Sequence, residues 1–126
     1  MNDQSKNSFT EYKNIVAFKT KDNSIIRELL HPNFHNISNT SLAEAIVEKN
    51  SKTLLHRHHK TEEIYHITKG VGLMTLAESN FEVKAGDSIS ISAGTSHCIE
   101  NIGDGPLHLL CVCCPPYQHN DTELLE

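Results

Sequence analysis

The feature that most limits how this chain can fold is a succession of short runs in which polar and apolar residues alternate. They are NIVAFKT (14–20), SIIRELL (24–30), LAEAIVE (42–48), TLLHRH (53–58), EIYHI (63–67), VGLMTL (71–76), FEVKA (81–85), DSISIS (87–92), HCIEN (97–101) and PLHLLCVCC (106–114). Successive side chains of a strand leave on opposite faces, so a period of two marks a half-buried strand. Gly70, Gly72, Gly86, Gly94, Gly103 and Gly105 punctuate the series. Turn signals about every 8–12 residues predict an all-β sandwich or barrel. LAEAIVE is also compatible with a helix, but the KNSK turn after it (49–52) favours a strand entering a hairpin. Residues 1–12 are polar and read as a flexible arm, 13–117 as the barrel, and 118–126 as a tail.

A chain of 126 residues is one domain by size. With 11 basic and 16 acidic residues the net charge is −5, which argues against a nucleic-acid partner. The apolar runs fall short of the ~18 residues a membrane span needs, so no membrane partner is expected. MNDQSKNSFTEYKN lacks the apolar stretch of a secretory signal, so a cytoplasmic location is expected. Cys98, Cys111, Cys113 and Cys114 are then expected as reduced thiols. They lack the two separated pairs of a zinc cluster and read as small apolar residues in strands.

Histidine is over-represented, with nine residues, four of them between positions 56 and 66. In HRHHKTEEIYHITKG (56–70), His56 and His58 share a strand face while Arg57 takes the other. A bend follows, and Glu63 re-enters with Tyr65 and Ile67 on its face. In GDSISISAGTSHCIEN (86–101), His97, Ile99 and Asn101 share a face. If those faces line one barrel, His56, His58, Glu63 and His97 converge. Three imidazoles and a carboxylate suit one divalent transition metal, whether Fe, Mn, Ni, Co, Cu or Zn. Each residue alone has a plainer reading: a His-x-His pair arises by chance, and Glu62 and Glu63 alone would be a solvated pair.

The two runs together resemble the signature of a small single-domain cupin. The family's first motif is G-x5-H-x-H-x3,4-E-x6-G; here stand Asn50, five residues, His56-Arg57-His58, four residues, Glu63, six residues, Gly70. The second is G-x5-P-x-G-x2-H-x3-N; here stand Gly86, five residues, Ser92-Ala93-Gly94, two residues, His97, three residues, Asn101. Asn50 replaces a glycine, and asparagine tolerates the left-handed backbone such a turn needs. Ser92 replaces a proline, which leaves that turn less stiff. The count back from Gly70 selects Glu63 over Glu62. The resemblance implies a double-stranded β-helix, a jelly roll of two antiparallel sheets. It also implies a homodimer, with the N-terminal strand covering a partner's sheet edge.

The function expected is that of a mononuclear metalloenzyme acting on a small oxygen-rich molecule. The resemblance admits dioxygenase, decarboxylase and isomerase or cyclase chemistry, and fold does not choose among them. The alternatives are a metal-dependent small-molecule binding module without turnover and a jelly roll whose histidines are structural. A general base must be a non-ligand near the metal, and Tyr65 and His59 are the candidates. Tyr65 either bonds a ligand or packs; Asn101 either approaches the site or forms a turn. Glu44 points either inward or to solvent. Cys111 and Cys113 share one strand face and either pack in the core or approach the metal.

Overall fold

The computed structural model describes residues 6–126. It consists of eleven strands and two single-turn 3-10 helices. The strands are β1 (Phe18–Lys19), β2 (Ile25–Leu30), β3 (Ser41–Val47), β4 (His56–His58), β5 (Glu62–Lys69), β6 (Val71–Leu76), β7 (Ser79–Lys84), β8 (Ser88–Ile91), β9 (His97–Asn101), β10 (Leu107–Cys114) and β11 (Thr122–Leu124). They form two sheets, in the orders β1-β2-β3-β10-β5-β8 and β11-β4-β9-β6-β7, and every strand pair is antiparallel. This is the expected double-stranded β-helix. Among the described residues, no helix is long and apolar enough to cross a membrane.

The alternation read in the sequence is the alternation of burial. β3 and β10 bury every second residue from their first, and β5 buries Glu63, Tyr65 and Ile67 while Glu62 and Ile64 are exposed. The core closes on Ile67, Met74, Ile91, Ile99, Leu107 and Leu109, all essentially inaccessible. Each such side chain contributes ~1.5–3 kcal/mol relative to an exposed one. Two turn residues match their sequence reading: Asn50 has φ 64° and Gly70 φ 92°, both left-handed.

The chain ends differ from the sequence reading. NIVAFKT yields only the two-residue β1, preceded by a 3-10 helix at Tyr12–Asn14. Val16 is 83 % exposed, so the alternation there has no sheet to face. Of the arm read over residues 1–12, positions 1–5 lie outside the described residues, while Thr10 Oγ1 donates to the Leu29 carbonyl. Within the segment read as a tail, Thr122–Leu124 pairs with His58, Arg57 and His56 as β11. Three residues are too few to show a period, which is why this strand was not visible in the sequence.

Candidate metal centre

β4 delivers His56 and His58, β5 delivers Glu63, and β9 delivers His97; all four side chains are buried. His56 and His97 are direct cross-strand partners, and their ring centroids are 4.2 Å apart. One ligand nitrogen from each of the three histidines lies within 4.8 Å of the others, close enough for small rotamer changes to bring them onto one ion. Glu63 Oε1 is 3.3 Å from both His58 Nε2 and His97 Nε2.

The hydrogen bonds behind the rings set their tautomers. His56 Nδ1 is 2.7 Å from the Leu54 carbonyl and His97 Nδ1 is 2.9 Å from the Thr95 carbonyl. A carbonyl only accepts, so both Nδ1 atoms carry the proton. Thr122 Oγ1 donates to the Gln118 carbonyl and thus accepts from His58 Nδ1 at 3.0 Å. In the neutral rings that a metal requires, all three Nε2 atoms then turn a lone pair inward. Facing them is a carboxylate, also an acceptor, and among the described residues both Glu63 Oε1 and His97 Nε2 are buried without a hydrogen-bond partner. Acceptors crowded on one another out of reach of water are costly. A divalent cation among them satisfies every one, so the residues present fit a metal. Nitrogen and carboxylate donors suit a first-row transition ion.

The electrostatics agree. Burial pushes the Glu63 carboxyl up, but without a metal a proton shared from His58 and His97 beside it more than compensates and holds it at about 2, an anion that a cation in the proton's place would keep. Burial lowers the pKa of His56, assisted by His97, which keeps its ring neutral as a ligand must be. Because the unfolded His56 binds a proton below about its ordinary 6.5 and the native one does not, the native state loses stability as pH falls through that window. We expect thermal melts of metal-free protein to show a falling Tm from pH 7 to 5, with His56→Gln flattening that slope. Equal slopes would contradict this.

Glu63 is held in turn by Cys113, whose thiol donates to Oε2 at 3.4 Å. Cys113 thus approaches the ligand set, whereas Cys111 lines the chamber as a buried thiol; all four cysteines are free. Tyr65 is buried beside the histidines, its ring 5.7 Å from that of His97, and burial pushes its hydroxyl well above the usual tyrosine range. It is suited to donate a proton bond and unsuited to act as a base.

His59, a general-base candidate from the sequence, does not line the chamber: it is exposed on the outer surface, with Nε2 3.2 Å from Glu123 Oε1. Successive strand residues diverge, so a ligand at His58 sends His59 outward. Asn101 clamps a turn: its amide donates to the Val47 and Gly105 carbonyls, and Oδ1 accepts from the Gly103 amide. Glu44 faces outward, accepting from the Tyr12 hydroxyl and lying 3.6 Å from Arg27.

Three residues that sequence reasoning missed belong to the site. Thr122 on β11 orients His58. Thr122→Val keeps the shape and removes this acceptor; we expect metal affinity in a chelator competition to fall ~10–100-fold, the cost of losing a partner behind a ligand. Unchanged affinity would show that the strand alone orients the ring. Asp22, in the β1–β2 turn, has Oδ2 3.5 Å from His56 Nε2. Its Oδ1 is fixed by Thr20 Oγ1, Ser24 Oγ and the Ser24 amide. Glu28 on β2 lines the same chamber. The chamber has about 40 Å³ of room, walled by apolar residues such as Ile26, Val47, Ile99 and Leu109.

With this geometry in view, the family model for the cupin domain matches residues 43–113. The chain belongs to the cupin family. This cupin is 60% identical over 117 residues to an uncharacterized protein of Methanocaldococcus jannaschii, covering 93% of this chain and 94% of the relative. It is 40% identical over 58 residues to the oxalate-binding protein of Thermotoga maritima, covering 46% and 48% of the two chains. Among solved structures it resembles oxalate decarboxylase of Lactobacillus farciminis in a formate complex, with TM-score 0.77 and 23% identity. That likeness covers 90% of this chain but only 34% of the decarboxylase, so the cupin spans about a third of that enzyme. It also resembles the polyketide cyclase RemF of Streptomyces resistomycificus, with TM-score 0.76 and 18% identity over 93% and 84% of the two chains. At these identities the solved structures speak for the fold.

Proposed function

We propose that this cupin is a mononuclear metalloenzyme: it holds one divalent transition metal on His56, His58, His97 and Glu63 and acts on a small oxygen-rich molecule, with short diacids and keto acids as the first class to test. The observation that carries this is the convergence of three neutral imidazole lone pairs and one anionic carboxylate in a chamber of about 40 Å³. A bound metal supplies Lewis acidity toward a ligand carboxylate or carbonyl. Four protein ligands leave up to two positions on an octahedral ion, enough for a chelating oxygen pair.

The chain's own residues hold and orient. Apolar walls exclude water from the ligand. Tyr65 and Tyr117 keep their protons, the latter pushed up to about 12 by burial, and so offer hydrogen bonds. With His59 on the outer surface, Asp22 is the better-placed carboxylate to take up a proton at the histidine cluster.

The size of the chamber limits the ligand to a few heavy atoms. A second reading, a binding module without turnover, is favoured by the match to the oxalate-binding protein. Manganese-loaded protein incubated with oxalate, glycolate and pyruvate separates the two. Conversion beyond one equivalent supports the enzyme. Stoichiometric retention with unchanged ligand after hours selects the binding module. If none of the three binds, the ligand class itself is wrong.

A further inference from the structure

We propose that Glu28 is the second anchor of the ligand site: its carboxyl group, in the wall of the chamber, hydrogen-bonds an oxygen of the small molecule whose other end the metal centre holds. This rests on the reading of the chamber as a metal-dependent site for oxygen-rich molecules, and it adds which ligands the site prefers.

Glu28 is 8% exposed and lines the chamber together with Ile26 of the same strand and Ser24 just before it. Its Oε2 is buried and, among the described residues, has no hydrogen-bond partner. A buried carboxyl left unmatched costs stability, so its presence calls for a partner that arrives from outside the fold. The backbone aims it deliberately. Glu28 pairs with Ala43 and follows the β2 alternation that also turns Ile26 inward, and the extra residue, Leu29, comes only after it, before Leu30 pairs with Leu42.

The surroundings provide no counter-ion. His31, the histidine nearest in sequence, is fully committed: its Nδ1 accepts from the Asn33 amide at 3.1 Å and its Nε2 donates to the Tyr117 carbonyl at 2.7 Å. That ring is a neutral tautomer with no donor to spare. Across the strand pair lies Ala43, which is apolar. The other titratable groups of the chamber wall are Asp22, Glu63, His56, His58, Tyr65, Cys111, Cys113 and Tyr117, none of them a permanent cation. Burial raises the Glu28 carboxyl, and His31 nearby opposes that rise only when its ring is charged. In its protonated form the carboxyl offers an O–H to a chamber that receives oxygen acceptors, and no other described residue takes up its Oε2. Glu28 and Tyr117 also line an outer groove that adjoins the chamber, which places the carboxyl on the way in.

A ligand spanning both anchors carries a metal-binding oxygen function at one end and a hydrogen-bond acceptor at the other. Oxalate carries both functions, and formate, with one carboxylate, does not. Calorimetric titration of manganese-loaded wild type, Glu28→Gln and Glu28→Met with oxalate and with formate tests the assignment. Glu28→Met is expected to lose oxalate affinity at least ~10-fold and to leave formate unchanged, while Glu28→Gln, which keeps a donor, stays within ~3-fold. Manganese content is expected to be equal in all three, and Glu28→Met is expected to melt above wild type, because an unmatched buried carboxyl has been removed. Wild-type oxalate affinity in Glu28→Met overturns the assignment alone. A Glu28→Met melt below wild type also overturns it, by showing that the carboxyl has a structural partner. A manganese-loaded wild type that binds neither probe overturns the parent reading and this one with it.

Discussion

His97→Ala is expected to empty the metal centre. His97 is fully buried, its Nδ1 proton is committed to the Thr95 carbonyl, and among the described residues its Nε2 has no hydrogen-bond partner, which leaves it to the proposed cation. Removing a ligand outright is expected to cost more than the ~10–100-fold in affinity that loss of an outer partner costs. Elemental analysis of protein purified without chelator or nickel resin reads this directly. A ligand present at a thousand times its Kd stabilises the native state by ~4 kcal/mol, and in a domain of this size that corresponds to ~10–15 °C in Tm. Chelation should therefore lower the wild-type Tm by about that much and leave the His97→Ala Tm unmoved. A variant that retains wild-type metal stoichiometry would remove His97 from the ligand set.

The second large effect is expected far from the chemistry. Gly70 joins β5 to β6 with φ 92°, and a Cβ built there would lie 2.8 Å from the Pro106 carbonyl oxygen and 3.1 Å from the Leu107 Cα. Both are backbone atoms and cannot swing away. Left-handed strain alone costs ~1–3 kcal/mol, and the contact adds to it, so Gly70→Ala should destabilise by ~3 kcal/mol or more in urea titrations. Gly86 is the control. It has φ 98°, but nothing lies within 4 Å of the built Cβ, so Gly86→Ala should show the strain without the collision. Equal losses for the two variants would mean that backbone conformation, and not proximity, is what the Gly70 position selects.

Gly70 also shows why some of this molecule was readable from residues alone. The count from Glu63 to Gly70 is rigid because one end must face the barrel interior and the other must turn where only glycine fits. That pair of constraints distinguishes Glu63, buried, from Glu62, exposed. The middle strands were readable for the same reason: each has one wet face and one dry face. SIIRELL is different. Its inward set is Ser24, Ile26 and Glu28 and its outward set includes Ile25 and Leu29, so neither face looks apolar. Such a strand can be read as a strand without showing which of its faces is inward, and Glu28 went unnoticed with it. Asp22 and Thr122 were invisible for another reason. They reach the histidines through the β1–β2 turn and through β11, contacts between residues 34 and 64 positions apart in the chain.

β4 bears on how fast the site can exchange its ion. This strand carries two of the three histidines, yet it is three residues long, with three register pairs to β11 and one to β9. The elements that close a protein least firmly are the ones that open first, well below the cost of global unfolding. Peeling β11 away removes the Thr122 support of His58 and frees one edge of β4 together. The residence time of an ion bound there would then follow the fraying of β11, and such a site would reload without the barrel coming apart.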